Sequence, residues 1–108
     1  MSITINIYYK GKDGSARRFA QEMIAQGIVD EIRAEAGNLR YEYFFPMEEP
    51  QTLLLIDSWE NQQALDIHHH SPMMADIIAL REKHDLHMTV ERYISDDGAN
   101  PDEKFIRK

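Results

Sequence analysis

The chain contains no cysteine, which removes disulfide staples, thiolate catalysis and cysteine-ligated metal from consideration and leaves the redox compartment unmarked. Basic residues are scarce: 12 Lys and Arg against 19 Asp and Glu give a formal net charge of −7. No basic stripe exists that could displace counterions from nucleic acid or settle on an anionic membrane, so neither partner is expected. Long apolar runs are missing too, and no window approaches the roughly 18 consecutive apolar residues of a membrane-spanning helix. The opening MSITINIYYK lacks the charged start, long apolar middle and small-residue cleavage site of a secretory signal. A cytoplasmic location is the default expectation.

What is present is the composition of an ordinary globular protein, 43% hydrophobic and 29% charged. A chain of 108 residues makes one domain that buries only about two thirds of its surface, and a partner subunit would help it. Residues 1–95 read as that domain and 96–108 as a tail or dimer arm, since SDDGANP has linker composition but Phe105 and Ile106 follow it.

Hydrophobic period assigns the elements. Ile3, Ile5, Ile7 and Tyr9 alternate with Thr4, Asn6 and Tyr8, the period of two of a strand with unlike faces. The isoleucine face should meet helices, and the polar face suits the wall of a cavity. Over residues 15–36, Ala16, Phe19, Ala20, Met23, Ile24, Gly27, Ile28 and Ile32 recur at three and four, which predicts one long amphipathic helix ended by Gly37. Leu39, Tyr41, Tyr43 and Phe45 mark a second strand, closed by Pro46, and residues 52–59 a third, paired as a hairpin. The third strand is apolar almost throughout, so both its faces should be covered. A short helix over 60–69 and a second over 72–84 follow, the latter with Ser71 as N-cap and Pro72 at its first position. Residues 86–94 are the fourth strand.

The order β-α-β-β-α-β predicts an α+β fold of the ferredoxin-like kind with a four-stranded antiparallel sheet. Two helices cover one sheet face; nothing in the chain is left for the other. A second copy should cover it, giving a homodimer whose sheets close into a dimeric α+β barrel with Asn6 lining each cavity.

Chemistry is expected between Leu53 and Leu80, which holds the only tryptophan and three of the five histidines. There Leu55-Ile56-Asp57-Ser58-Trp59-Glu60 is followed by Ala64-Leu65-x-x-His68-x-x-Ser71-Pro72, and the run RAEAGNLRYE precedes both at residues 33–42. These segments resemble the antibiotic biosynthesis monooxygenase family of dimeric α+β barrels over residues 2–94. The resemblance implies a small homodimeric enzyme. The family includes cofactor-free oxygenases of phenols and quinols, relatives of haem-degrading monooxygenases, and an isomerase of a phosphorylated sugar. Haem-degrading members carry an asparagine like Asn6, but His68 stands where they need tryptophan and Ile78 near their haem-ligating histidine, so no haem, other cofactor or metal is expected. Met73 occupies the place of a second histidine found in many members.

Cofactor-free oxygenation asks the protein to deprotonate a phenol, hold the anion and exclude water. His68 is the candidate base, Asn6 and the Trp59 indole are candidate donors and cavity wall, and Asp57 shares the Trp59 face and can orient a base or a substrate hydroxyl. Tyr8, Asp57 and Met73 are candidate substrate contacts. The plainer readings are a helix-end histidine satisfied by backbone or water, a strand-edge amide at Asn6, and core or interface packing for Trp59. Successive helical residues diverge by about 100°, so His68, His69 and His70 make a poor metal site. The expected function is a cofactor-independent monooxygenase of a small quinol- or polyketide-like aromatic held in a cavity between sheet and helices. The alternatives are an isomerase or other acid–base enzyme on a small carbonyl compound, and a non-catalytic dimeric ligand-binding module.

Overall fold

A computed structural model describes residues 1–108. The elements run β1 (Ile3–Lys10), α1 (Ser15–Ala25), α2 (Ile28–Arg33), β2 (Asn38–Phe44), β3 (Thr52–Trp59), α3 (Gln62–His69), α4 (Met73–Lys83) and β4 (His87–Ile94), with a 3-10 turn at Glu103–Phe105. All strand pairs are antiparallel, and the sheet order is β2-β3-β1-β4. This is the ferredoxin-like α+β arrangement.

Strand register decides which side chains meet the helices. Ile5 lies opposite Asp57 on β3 and Arg92 on β4, and Ile7 opposite Leu55 and Val90. Residues directly opposite share a face, so Ile5, Ile7, Leu55, Asp57, Val90 and Arg92 all face the helices. Asn6 pairs with Ile56 and Glu91, and faces the other way with Thr4 and Tyr8. The core sits under α1 and α2, where Tyr9, Phe19, Met23, Ile32, Leu53 and Trp59 are fully buried.

The long helix expected over 15–36 is two helices. The Gln26 amide closes α1 on the Glu22 carbonyl and the Gly27 amide on that of Ile24, and Gly27 takes the left-handed conformation at φ 77°. An unbroken helix of that span would run about 33 Å, past a strand of about 27 Å. The break lets Ile28, Val29 and Ile32 turn back onto the sheet and be buried. Ser71 also departs from its expected role: its hydroxyl donates to the His68 carbonyl at 2.7 Å and so closes α3, leaving the start of α4 without a side-chain cap.

The outer face of the sheet is bare in the protomer. At its centre Leu54 and Ile56 are half-buried, and Phe44 and Tyr93 are exposed beside them. Thr4 and Ser58 hydroxyls join across it at 2.9 Å. The tail does not return to the core; Phe105 and Ile106 stand exposed. No helix is long and apolar enough to cross a membrane.

Candidate active site

A cavity of about 370 Å³ opens between the isoleucine face of the sheet and helices α3 and α4. Its walls are mostly apolar, with Ile5, Ile7, Leu55, Leu65, Met74 and Ile77 among them, and the polar groups Asp57, His68, Tyr41 and Arg81 reach the same space. Its size falls within the roughly 300–1,000 Å³ of small-molecule sites.

Local sequence places His68 there. Asn61 caps α3, its Oδ1 accepting from the Ala64 amide at 2.9 Å, which fixes where the helix starts and hence which way residue 68 points. The turn after α2 is stitched to the same corner, the Glu60 amide donating to the Gly37 carbonyl at 2.8 Å. Gly37, at φ 84°, lies so close to α3 that a Cβ would stand 2.5 Å from the Ala64 Cβ. Only glycine satisfies both the left-handed backbone and that approach. The closeness brings Glu35 to His68: its Oε1 lies 2.7 Å from Nδ1, with both side chains largely buried. A carboxylate accepting from Nδ1–H leaves the Nε2 lone pair free to take a proton, and the imidazole's one side-chain hydrogen bond is this one at Nδ1.

Behind the imidazole, the Trp59 ring stacks at 4.7 Å between centroids and 29° between planes. Its indole N–H donates to Asp57 Oδ2 at 2.9 Å, while Asp57 Oδ1 is buried with no partner. Burial raises the Asp57 pKa above the ordinary carboxylate value, against the opposing pull of the Trp59 hydrogen bond. Across the cavity, Arg81 donates from Nη2 to Tyr9 Oη at 2.9 Å, and its Nε–H is buried and unpartnered. Tyr41 and Tyr43 share a hydroxyl contact of 3.3 Å; burial pushes both phenols up, Tyr41 well above the ordinary value, so both stay protonated donors.

Of the residues singled out in the sequence, His68, Trp59 and Asp57 come together. Asn6 and Tyr8 do not. The cavity lies on the isoleucine face, and the two-residue period of β1 points both residues to the opposite one. Asn6 Oδ1 is buried there without a partner. Met73 packs partly buried against the core, and Met74, one helical step of about 100° away, takes the place on the cavity wall. His69 borders the cavity, its pKa lowered by burial and by neighbouring His68, whereas the exposed His70 turns its Nδ1 to the Asp66 carbonyl. No three His, Asp or Glu side chains converge as metal ligands do. Glu35 and Arg81 were not singled out by sequence, because each reaches the site from a distant element; Glu35 lies 33 residues from His68.

A family model described as "Antibiotic biosynthesis monooxygenase" matches residues 2–80, which includes β1 through most of α4 and every cavity residue named above except those of β4 and Arg81. The chain belongs to the antibiotic biosynthesis monooxygenase family. Among its relatives is the Bacillus subtilis (strain 168) protein named "Putative monooxygenase YcnE", 29% identical over 77 residues, 71% of this chain and 79% of that protein. The fold is similar to the crystal structure of a "putative antibiotic biosynthesis monooxygenase" from Deinococcus radiodurans, with TM-score 0.74 at 19% identity over 93% of this chain and 97% of that one. It is similar also to PA3566 from Pseudomonas aeruginosa, with TM-score 0.73 at 21% identity over 87% and 93% of the two chains. At those identities the likeness speaks to the fold alone. Fold and family leave reaction and substrate to be argued from the site.

Proposed function

We propose that the protein is a homodimeric, cofactor-independent monooxygenase acting on a small aromatic quinol in the cavity between sheet and helices. The observation that carries this reading is His68, its Nδ1 tied to Glu35 and its Nε2 free on the wall of an apolar chamber. His68 Nε2 takes a phenolic proton, and Glu35 holds the resulting imidazolium. Trp59, stacked on the ring, fixes its plane, and Asp57 Oδ1 accepts from a second substrate hydroxyl. The electron-rich phenolate then reacts with dioxygen at a ring carbon. A hydroquinone and dioxygen become a hydroxyquinone and water, so the substrate supplies all the electrons and needs no external reductant. Apolar walls such as Leu55 and Ile77 keep water from the intermediates.

Dimer formation rests on the outer sheet face. Leu54, Ile56 and Phe44 present apolar surface there, and a second copy laid across it removes that surface from water and encloses Asn6 and Tyr8 in the interface. Sedimentation velocity at micromolar concentration is expected to give a dimer.

The test of the reaction is oxygen uptake by purified protein with a panel of hydroquinones. Uptake above the uncatalysed rate, lost in His68→Ala, is expected; no uptake with any of them defeats the proposal. A second reading, proton transfer on a small carbonyl compound, draws on Asp57 and His68 bordering one chamber, the Asp57 carboxyl raised by burial. Turnover that persists under argon would select it.

A further inference from the structure

The cavity wall carries two buried polar atoms with no partner: Asp57 Oδ1, an oxygen without a donor, and Arg81 Nε–H, a donor without an acceptor. A polar group shut from water without a partner is costly to keep. Two of opposite need on one chamber describe what should enter it. We propose that the substrate is a hydroxyaryl carboxylate, its hydroxyl donating to Asp57 Oδ1 and its carboxylate held by the Arg81 guanidinium. This rests on the cavity being the substrate site.

Arg81 is suited to the task. It makes one hydrogen bond, to Tyr9 Oη, out of five N–H donors, and it forms no ion pair with any carboxylate of the chain. Tyr9 is almost fully buried, so this contact anchors one edge of the guanidinium while leaving N–H groups to donate to both oxygens of a carboxylate. Arg92 adds a second positive charge at the cavity rim, its Nη2 donating to Gln62 Oε1 at 2.6 Å. In a chain of net charge −7, a chamber served by two guanidiniums attracts anions against the field of the whole molecule. A neutral quinol leaves Arg81 unanswered; a carboxylated one does not.

Binding is measured by isothermal titration calorimetry with 1-hydroxy-2-naphthoate and 6-hydroxy-2-naphthoate, each beside its methyl ester. At least one acid is expected to bind on the order of tenfold or more tighter than its ester, as the loss of a charge-assisted hydrogen bond implies. In Arg81→Met the acid falls to the affinity of the ester while the ester holds its own, which also reports that the cavity is intact; Arg81→Lys recovers part of the preference. Equal binding of acid and ester, binding of neither, or a loss in Arg81→Met that falls on both alike overturns the inference. Oxygen uptake is read separately. An acid that binds through Arg81 while no hydroquinone, carboxylated or neutral, is oxygenated defeats the monooxygenase reading and leaves the ligand class standing.

Discussion

Glu35 is the residue whose replacement tests the site most sharply, because it touches the reaction only through His68. At 2.7 Å, the attraction between an imidazolium and a carboxylate is about 6 kcal/mol at an effective dielectric of 20 and about 1.5 kcal/mol in water. Desolvation of two largely buried groups takes back much of the larger figure. What is left is of the size measured for hydrogen bonds to charged groups, about 1.5–3 kcal/mol. Glu35→Gln keeps an acceptor for Nδ1–H but removes the charge that answers the imidazolium as the phenolic proton arrives. If that stabilisation is absent before proton transfer and present after it, kcat falls by roughly 10- to 150-fold at about 1.4 kcal/mol per decade, with KM little changed. His68→Ala loses the base itself, on the order of 100- to 10,000-fold. Since Glu35 acts through His68, the double variant should be no slower than His68→Ala alone. Initial rates of oxygen uptake with the best hydroquinone, on proteins matched by near-ultraviolet circular dichroism, supply the cycle. Additive losses, or Glu35→Gln at the wild-type rate beside an inactive His68→Ala, would refute the assigned coupling.

Other consequences follow from single contacts. Burial raises the Asp57 pKa, so the native state binds its proton more tightly than the unfolded chain; the resulting cost is absent below the ordinary carboxylate value and grows as pH rises through the raised one. Asp57→Asn, which still accepts from the Trp59 indole, should therefore raise Tm at pH 8 by more than at pH 4 while lowering turnover; scanning calorimetry that shows an equal change at both pH values, or a larger one at pH 4, contradicts the buried carboxylate. Glu22 accepts from Lys83 at 2.7 Å and His84 at 2.8 Å, linking α1 to α4, and the hydrogen bond from Lys83, then that from His84, lower its pKa. Its contribution is present above the ordinary carboxylate value and lost as pH falls through the lowered one, so Glu22→Gln should flatten the acid limb of the Tm–pH curve. Gly37→Ala meets both a left-handed backbone and a Cβ 2.5 Å from that of Ala64; a loss of about 2 kcal/mol or more in urea unfolding is expected, and a loss below about 0.5 kcal/mol would mean that the corner yields.

The strands and helices are legible in the sequence because each buries one face and writes its period there. The third strand ends at Thr52–Trp59, where residue pattern alone puts it. The break at Gly27 was hidden by its position: glycine at an apolar slot reads as a small core residue, and only the length of the sheet beneath shows why the helix must bend. The site divides along the same line. Trp59 and Asp57 fall on one strand face by the period of two, and His68 follows on the next helix, so their meeting could be read locally. Which β1 side chains line the cavity could not. The polar row Thr4, Asn6 and Tyr8 looks like a cavity wall from sequence, but the chamber is made where α3 and α4 stand off the isoleucine face; Arg81 of α4 joins Asp57 of β3 and Arg92 of β4 on its wall, and Glu35, in the turn after α2, backs His68. Glu35, in the turn after α2, and Arg81, on α4, are ordinary surface-type residues by local sequence, and only tertiary packing turns them inward.

The most direct measurement is a crystal structure of the protein grown under argon with a bound naphthohydroquinone. The expected ring lies between Ile5 and Leu55 on the sheet side and Ile77 on α4, with one hydroxyl about 3 Å from His68 Nε2. A ring seated on the outer sheet face against Asn6 and Tyr8, or in the chamber with its hydroxyls turned away from His68, would contradict the proposed chemistry at its source.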